Sequence, residues 1–572
     1  MSIFCTSCRE SSTINAQRHL DSHGDLMRPH SACLAALLAV SLAACAQQPA
    51  AQQQAPAPID SYIHQSWDTL QRSMTDCNSL VDPKLTTRPV LYVPADEKIP
   101  SAVKALEDKC HVDVRSLPRV IHHEGELPPD DIASPGLLYL PNKYVVPGGR
   151  FNEMYGWDSY FILLGELSDN RLDLARGTVE NFFYEIDHYG SILNANRTYY
   201  LTRSQPPFLS SMVMAIYEAE RPHHKGEARK WLERAMPYLI RDHALWTAPP
   251  HLAGNTGLSR YFDLGHGPVP EMADDSTYYV EVIKWLEAHP QQTPPDYIEK
   301  AGTAPAETRC KGSAACLQTT ADGEELTPDF YVGDRAMRES GFDPSFRFGP
   351  FSGSTEDYAP ICLNALLYKY ERDLAIISAT LGDGGSAVHW KQLADKRAAL
   401  INSLLWDNER GMFMDYDTRS GKRSKYPYIT TYYALWSGLA TPEQAKRLVA
   451  NLSLFERDGG LQMSTDDTGE QWDAPFGWAP TNWLAVAGLA RYGYKADADR
   501  ISRKFMATVQ KGYQHDGTIR EKYNMDTASS EVAVTTGYKT NVVGFGWTNA
   551  VYLQMQHLLV NSPSPSTKSV SP

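Results

Sequence analysis

Two acidic segments of the 572-residue chain could take part in acid–base chemistry. Asp343 follows a glycine and a phenylalanine, and further phenylalanines stand at positions 346, 348 and 351. An apolar surround raises the pKa of a carboxyl group and so preserves its proton. Glu521 stands between Arg520 and Lys522, and a neighbouring cation favours the ionised carboxylate. Asp343 would suit a proton donor and Glu521 a proton acceptor, although an Asp-Pro pair also signals a turn and Glu521 alone could be a surface acid.

Three segments that we expect to be loops combine arginine, amide and carboxylate side chains with aromatic rings. They cover residues 147–160, 194–208 and 471–480, and read PGGRFNEMYGWDSY, NANRTYYLTRSQPPF and QWDAPFGWAP. Sugars need this mixture, because apolar rings cover the sugar face while polar side chains bind adjacent hydroxyl groups. Binding and catalytic groups also tend to lie on loops. The composition of these segments therefore favours a carbohydrate ligand.

The overall charge argues against another class of partner. The formal net charge is −14, whereas nucleic-acid binding depends on lysine and arginine side chains that release counterions. We therefore expect no nucleic-acid partner. Hydrophobic residues at 42% and charged residues at 21% are typical of a globular protein that buries a sizeable core.

The same segments resemble the signature stretches of trehalases, glycoside hydrolase family 37. Residues 147–161 match the pattern PGGRFxExYxWDxYF, and residues 471–480 match QWDxPxGWAP. RSQPPF at 203–208 and GFGWTN at 544–549 agree as well. The resemblance extends over about residues 140–560. It implies an all-α fold, an (α/α)6 barrel, that hydrolyses the small neutral disaccharide α,α-trehalose to two glucose molecules with inversion of configuration.

The resemblance also implies a role for each matching side chain. The general acid falls on Asp343 and the general base on Glu521, which inversion requires to be about 6.5–9.5 Å apart so that a water fits between them. Asn196 is an alternative to one predicted contact, Asn194. The predicted substrate contacts are Arg150, Phe151, Tyr155, Trp157, Asp158, Asn194, Arg203, Gln205, Gln471 and Trp472.

Neither a metal ion nor a cofactor is expected. Two histidine pairs, at 122–123 and 223–224, lack the i, i+4 spacing of helical metal ligands. We interpret both pairs as solvated side chains. Asp158 has a structural alternative of its own, because an aspartate before a helix that begins at Ser159 often serves as its N-cap.

Three departures from the family pattern lie near the predicted pocket. The usual P-R-P-E reads Pro268-Val-Pro-Glu271, so Val269 replaces an arginine. The usual tryptophan before the acid is Phe342, and G-G-E-Y reads Thr535-Thr-Gly-Tyr538, which removes an acid beside Gly537. These changes keep a second hypothesis open, in which the barrel hydrolyses another small glucoside or a modified trehalose.

Two other functions also remain open at this stage. Inverting phosphorylases share this kind of barrel, so phosphorolysis is one. The other is a non-catalytic sugar-binding lipoprotein, which would bind trehalose without turnover. Turnover of trehalose in the absence of phosphate would distinguish hydrolysis from both phosphorolysis and non-catalytic binding.

Helix-period apolar patterns recur along most of the chain. Strand-like runs are few, and the clearest is 88–93. Thr441 followed by proline predicts an N-cap and a helix start. Helices are predicted at 158–167, 173–188, 207–219, 226–239, 275–288, 358–380, 386–406, 428–438, 441–453, 479–491, 496–511 and 546–560.

The N-terminal region resembles an export signal. Residues 31–42 are apolar but too short to span a bilayer. Met27 is the predicted start, and the run ends in a bacterial lipobox whose Cys45 would be lipidated, with ordinary cleavage after Ala46 as the alternative. We therefore predict a periplasmic monomer, with membrane contact only through that anchor. The predicted segments are a signal peptide at 1–45, an Ala/Gln/Pro linker at 46–58, a single glycosidase domain at 59–560 and a Ser/Pro tail at 561–572.

An exported location would permit disulfide bonds. Cys310 and Cys316 flank a short loop and are expected to pair, and Cys77 with Cys110 is the plausible second bridge. Cys362 lies in an apolar run and is expected to be a buried thiol.

Overall fold

The structure is a computed structural model that describes residues 56–80, 88–274, 277–303, 318–535 and 540–560. Helices dominate these residues. They are α1 Ile59–Thr69, α2 Ser101–Lys104, α3 Leu106–Cys110, α4 Asp158–Ser168, α5 Leu172–His188, α6 Leu209–Glu220, α7 Lys225–Trp246, α8 Tyr278–Ala288, α9 Pro328–Ser340, α10 Ile361–Leu381, α11 Gly384–Leu404, α12 Tyr433–Ser437, α13 Pro442–Ala450, α14 Ala479–Arg491, α15 Lys495–Asp516 and α16 Gly546–Val560.

The strands are short and form small separate sheets of two or three strands. They are β1 Gln71–Arg72, β2 Val90–Val93, β3 Asp113–Ser116, β4 Leu137–Leu138, β5 Tyr144–Val145, β6 Ile298–Lys300, β7 Thr320–Ala321, β8 Glu324–Leu326, β9 Tyr358–Ala359, β10 Trp406–Asp407, β11 Met412–Phe413, β12 Tyr416–Asp417, β13 Lys422–Arg423, β14 Glu456–Arg457, β15 Gly460–Leu461, β16 Phe476–Trp478 and β17 Lys522–Asn524.

Six helices close into an inner ring. Helix α4 packs on α6, α6 on α10, α10 on α12, α12 on α14, α14 on α16, and α16 returns to α4. Most of the intervening helices lie outside this ring: α5 packs on α4 and α6, α7 on α6 and α10, α11 on α10, and α15 on α14 and α16. This alternation of inner and outer helices confirms the predicted (α/α)6 barrel.

Side-chain chemistry separates the inner helices from the outer ones. The inner helix α4 is buried around most of its circumference, with Tyr160, Phe161, Ile162 and Leu163 in succession. A helix that is apolar all round must lie in a core. The outer helix α11 buries only one stripe, formed by Trp390, Ala394, Arg397 and Ile401, and such a helix needs cover on one side only.

The periodic patterns located all twelve predicted helices, but they missed others. Thr441 caps α13 in a capping box, as the Thr-Pro signal predicted. In the region 428–438 the regular helix is short, because residues 429–432 form a 3-10 turn before α12. Helix α9 was not predicted. The strand predicted at 88–93 is β2, the centre of a parallel sheet with β3 and β4.

The cysteine predictions are confirmed where they can be tested. Cys77 and Cys110 form a disulfide bond, and Cys362 is a buried free thiol. Cys310 and Cys316 lie outside the described residues, as do residues 1–55 and 561–572. No helix within the described residues is both long and apolar enough to cross a bilayer.

Candidate active site

Asp343 reaches its position through a tight helix end. Helix α9 stops at Gly341, which has a φ of 78°. A Cβ atom at this position would lie 2.9 Å from the indole of Trp157, so both the backbone and the packing require glycine here. Phe342 is then buried against Trp157. The amide of Gln471 donates to the main-chain carbonyl of Asp343 at 2.5 Å, which fixes the loop that carries the acid.

Glu521 is positioned by a strand pair. It immediately precedes β17, which runs antiparallel to β16 with Trp478 opposite Lys522. The indole of Trp547 donates to the main-chain carbonyl of Glu521 at 3.3 Å. The pairing therefore brings the 471–480 segment and the segment around Glu521 to one end of the barrel.

All twelve predicted site residues line one cavity, which has about 840 Å³ of empty space including its opening to solvent. The two predicted catalytic carboxylates thus face a shared space, as acid–base chemistry on one substrate requires. The sequence analysis did not select the other lining residues as site residues. They are Pro147, Tyr200, Glu271, Met272, Arg338, Gly341, Trp478, Phe545 and Trp547.

The surroundings of Asp343 favour the protonated carboxyl. Loss of solvation raises its pKa to about 7, while the guanidinium groups of Arg338 and Arg203 limit that rise. Arg338 Nη1 lies 3.6 Å from Asp343 Oδ2, and a third of the Asp343 side chain is exposed. The direction of the shift is the one expected from the sequence, but Phe346, Phe348 and Phe351 do not line the cavity.

Glu521 has a cation within hydrogen-bond distance. Lys522 Nζ donates to Glu521 Oε2 at 2.9 Å, and both side chains are buried. The same ammonium lies 5.1 Å from the ring centre of Trp478. Arg520, the other cation beside Glu521 in sequence, pairs instead with Asp516. Of the two cations that flank Glu521 in the sequence, only Lys522 contacts its carboxylate.

Asp158 is a third carboxyl at the same cavity. Burial raises its pKa well above the usual range, and the charges of Glu521 and Asp343 raise it further. A protonated Asp158 can donate a hydrogen bond, which an ionised carboxylate cannot. Helix α4 begins at Asp158 itself, and no side chain caps it. The alternative role as an N-cap is therefore not what the structure supports.

Aromatic rings form the apolar walls of the cavity. Trp472 stacks on Trp478 with ring centres 3.8 Å apart and an interplanar angle of 2°. Trp157 meets Trp547 edge to face at 5.7 Å. Such flat walls suit the apolar face of a sugar ring, and packing among the rings holds each wall in one orientation.

Polar contacts hold the other predicted binding groups in place. Arg203 pairs with Glu271, and its Nη1 lies 3.5 Å from Asp263. Gln205 Oε1 accepts the backbone N–H of Trp157 at 2.9 Å. These side chains are almost wholly buried, so their direction is set before any ligand arrives.

Two candidate asparagines differ clearly in their surroundings. Asn194 lines the cavity, and its amide is 3.4 Å from the carbonyl of Ser204. Asn196 does not line it, and its side chain bonds the backbone N–H of Met154 and the carbonyl of Leu138. The structure therefore favours Asn194 over Asn196 as a binding group.

The arginine lost at Val269 has a counterpart in space. Val269 is buried in a separate apolar cluster with Tyr279 and does not line the cavity. Arg338, from the unpredicted helix α9, lines it and lies over the ring of Tyr278 at 5.3 Å. The site therefore retains a guanidinium beside Asp343. The sequence signal for it was position alone, because Arg338 stands five residues before Asp343.

The other two departures from the family pattern are Phe342 and the segment 535–538, and the structure describes only the first of them in full. Phe342 fills the position of the usual tryptophan and packs edge to face on Trp472 at 5.2 Å. The backbone N–H of Thr535 donates to the carbonyl of Gly469 at 2.9 Å. Gly537, where the family acid is missing, lies outside the described residues.

Comparison with known proteins gives relatives along most of the chain. A probable trehalase of Eremothecium gossypii is 36% identical over 547 residues, which cover 86% of this chain and 71% of the relative. A cytosolic neutral trehalase of Saccharomyces cerevisiae is 36% identical over 550 residues, with 86% and 70% covered. The solved neutral trehalase of the same yeast superposes with a TM-score of 0.71 at 33% identity, and covers 87% of this chain and 93% of its own.

These relatives overturn the predicted location. Proteins of Kluyveromyces lactis, Saccharomyces cerevisiae, Emericella nidulans and Beauveria bassiana are named cytosolic neutral trehalases. The prediction of a periplasmic, bacterial-type enzyme is therefore wrong. It was based on the apolar run at 31–42 and on Cys45, which lie outside the described residues.

A family model described as trehalase matches residues 42–559. This range contains both signature segments, the closed helical ring and every residue that lines the cavity. On this match, and on the similarity to neutral trehalases over most of its length, the chain belongs to the trehalase family of glycosidases.

Proposed function

We propose that this enzyme hydrolyses α,α-trehalose to two glucose molecules with inversion, using Asp343 as general acid and Glu521 as general base. The observation that carries the proposal is that both carboxyl groups line one cavity, where loss of solvation raises the pKa of Asp343 and Lys522 donates a hydrogen bond to Glu521. The match to the trehalase family, and the similarity to a solved trehalase, support that chemistry.

The reaction uses one proton donor and one proton acceptor. Asp343 gives its proton to the oxygen that bridges the two sugars as the bond between that oxygen and C1 breaks. Glu521 takes a proton from a water whose oxygen bonds to C1 from the opposite face. One glucose therefore leaves as the β anomer and the other as the α anomer, and the two carboxyl groups return to their starting forms by proton exchange with solvent.

The other lining residues would bind and orient the disaccharide. Protonated Asp158 can donate to a hydroxyl group, while Arg150 and Arg203 can donate to oxygen atoms of either ring. Trp157 and Trp472 supply flat apolar surfaces. Together they would hold the scissile bond between Asp343 and Glu521, which lowers the entropic part of the barrier.

Proton NMR of a fresh trehalose digest tests both reaction type and stereochemistry. Inverting hydrolysis gives α-glucose and β-glucose in equal amounts before mutarotation. Formation of α-glucose alone would show retention and would overturn the mechanism. A requirement for phosphate, with a glucose phosphate as product, would instead identify phosphorolysis.

Trehalose itself is the substrate that the cavity favours over a modified disaccharide. Because Arg338 supplies a guanidinium at the cavity, the change at Val269 does not remove that charge from the site. A panel of trehalose, 6-phosphorylated trehalose and maltose tests the choice, and we expect trehalose to have the highest kcat/KM. A higher value for another disaccharide would select the alternative substrate.

We further propose that residues 59–560 form the catalytic unit and that it acts as a cytoplasmic monomer. The predicted catalytic and substrate-binding residues all lie within this range. The relatives named as cytosolic support the location. A single species near 63.9 kDa in light scattering, with full activity, is the expected result. A dimer, or activity found only in a membrane fraction, would contradict it.

A further inference from the structure

Behind the sugar cavity lies a second cluster of side chains that the mechanism does not use. It consists of Glu124, His251 and Glu339, and one potential ligand atom of each lies within 4.8 Å of the other two. Their exposed fractions are 8%, 0% and 0%. None of the three lines the cavity. They come from distant parts of the chain and converge only in the folded protein.

Part of this cluster lacks hydrogen-bond partners. Among the described residues, neither carboxylate oxygen of Glu124 has one, nor does Nδ1 of His251. The Glu339 carboxylate, in contrast, is well supported. It accepts the backbone N–H groups of Phe262 at 2.6 Å and Ser204 at 3.3 Å, and lies 3.3 Å from His251 Nε2. Buried polar atoms without partners are costly, so the open atoms of Glu124 and His251 indicate an additional bound species.

The charges around the cluster indicate the sign of the charge that a bound species would carry. Two carboxylates share the space, and the nearby cations are committed elsewhere: Arg335 pairs with Asp263 at 2.8 Å, and Arg203 with Glu271. Either a proton on Glu124 or a bound cation would neutralise this excess of negative charge.

A similar cluster elsewhere in the barrel contains an arginine beside its histidine and glutamate. His243 lies 3.2 Å from Glu371, and Arg397 lies 2.8 Å from the same carboxylate. There a guanidinium supplies the positive charge. The Glu124 cluster combines histidine and carboxylate in the same way but has an additional acid in place of the arginine.

We propose that Glu124, His251 and Glu339 bind one divalent transition-metal ion of the Zn²⁺ class. One imidazole and two carboxylates are a common ligand set for such ions, which take nitrogen and oxygen donors in four-coordinate sites. The ion would balance the two carboxylate charges and give Glu124 its missing partner. Calcium and magnesium are disfavoured, because both prefer oxygen ligands alone.

The ion would have a structural role beside the active site. Glu124 precedes Gly125, whose N–H donates to the carbonyl of Leu201, and Glu339 lies in the last turn of α9, four residues before the predicted acid. Glu339 also holds the N–H of Ser204, between two predicted binding residues. Joining these segments would stiffen the wall of the cavity without touching substrate.

His251 is buried, unlike the two histidine pairs noted in the sequence. The pairs at 122–123 and 223–224 are exposed, as predicted. His251 was not selected from the sequence, where nothing distinguishes it from other histidines.

The test uses the full chain, stripped with a chelator and then supplied with Zn²⁺, Ca²⁺ or Mg²⁺. We expect Zn²⁺ to bind at one ion per chain by elemental analysis. At roughly one hundred times Kd it should raise the Tm by about 2–3 °C, whereas Ca²⁺ and Mg²⁺ should not. A wild-type Tm that does not respond to Zn²⁺ overturns the proposal.

Glu124→Gln separates a metal from a proton as the neutralising species. Glutamine mimics a protonated glutamate, so it would preserve a proton-neutralised cluster but not a metal site. We expect this variant to fold, to bind no Zn²⁺ and to show no rise in Tm. An equal rise in Glu124→Gln would also overturn the proposal.

His188→Gln is the matched control for binding at the surface. His188 lies near Asp96 and Glu97, at 3.3 and 3.4 Å, and is partly exposed. This variant should keep the full Zn²⁺ response. Loss of binding there, with Glu124→Gln unaffected, would place the ion at the surface and reject the buried site.

Discussion

The two carboxyl groups that we propose as acid and base differ in their surroundings. Asp343 and Glu521 both carry a carboxyl group, yet loss of solvation raises the pKa of Asp343 to about 7, while an ammonium contacts Glu521 at 2.9 Å. One fold can in this way support an acid and a base at the same pH. The proposed roles therefore depend on the burial of Asp343 and on the contact of Lys522 with Glu521.

Removing either proton-transfer group should abolish most of the activity. We expect Asp343→Asn and Glu521→Gln each to lower kcat by about 10² to 10⁴, because each general acid or base step contributes that much. Trehalose binding, measured by calorimetry, should change far less. Asp516→Asn is the control, since Asp516 pairs with Arg520 outside the cavity, and it should keep near wild-type activity. Equal losses in all three variants would contradict the assignment.

The pH profile should report the proton on Asp343. A general acid works only when protonated, so activity is retained below its pKa and is lost above it. With a pKa of about 7, kcat/KM should fall about tenfold for each pH unit above that value. A profile that stays flat from about pH 6 to pH 9 would show that another group donates the proton. Initial rates across this range provide the measurement.

At the scale of elements, apolar periodicity predicted helices well wherever one face is apolar. Helix α9 escaped this criterion because it contains Asp334, Arg335 and Arg338, which look like a surface pattern. In the fold these charges are buried and pair with one another and with neighbouring loops. Thr327 followed by Pro328 was a start signal of the kind recognised at Thr441, and it could have revealed the helix.

For the site, the sequence predicted the residues that belong to family motifs but not those whose position depends on the fold. Family patterns selected side chains that all line one cavity. They could not select Arg338, because its role depends on where α9 ends relative to Asp343 and not on any local pattern. Nor could they tell which of Arg520 and Lys522 would contact Glu521, since that follows from the register of β16 and β17.

Two threonine N-caps should differ in their effect on catalysis. Thr327 accepts the N–H of Phe330 at the start of α9, and Thr441 accepts that of Gln444 at the start of α13. Replacing either with alanine should cost about 1 kcal/mol of stability, measured by urea unfolding. Only Thr327→Ala should also lower kcat/KM, because α9 carries Arg338 to the cavity. If Thr441→Ala lowers it equally, the loss is a general effect of stability.

At the scale of the whole molecule, closure of the ring joins the two ends of the catalytic unit. Gln554 on α16 donates to the carbonyl of Leu164 on α4 across 390 positions of sequence. Periodicity has no information about such a contact, which is why the barrel followed from the family resemblance and not from helix positions. Closure also buries acidic groups that an isolated helix would leave in water. Glu166 on α4 is 1% exposed, and within the described residues neither of its carboxylate oxygens has a hydrogen-bond partner.

This burial should make the protein less stable as the pH rises. Burial raises the pKa of Glu166 to about 8, against about 4.3 in an unfolded chain. Between these values the folded state holds a proton that the unfolded state has lost. Its contribution to stability is therefore complete below about pH 4 and falls by about 1.4 kcal/mol per pH unit until about pH 8. Urea unfolding at pH 5.5 and 7.5 should thus differ by roughly 3 kcal/mol from this group.

Glutamine at position 166 isolates that contribution, because it resembles the protonated acid at every pH. Glu166→Gln should match the wild type near pH 4 and exceed it at pH 7.5. Glu371 is the contrasting buried acid: burial raises its pKa, but the Arg397 guanidinium and the His243 contact together outweigh this effect and lower the pKa. Glu371→Gln should destabilise the protein at both pH values, because it leaves a buried arginine without its partner. A stability difference between pH 5.5 and 7.5 that persists unchanged in Glu166→Gln would show that other groups cause it.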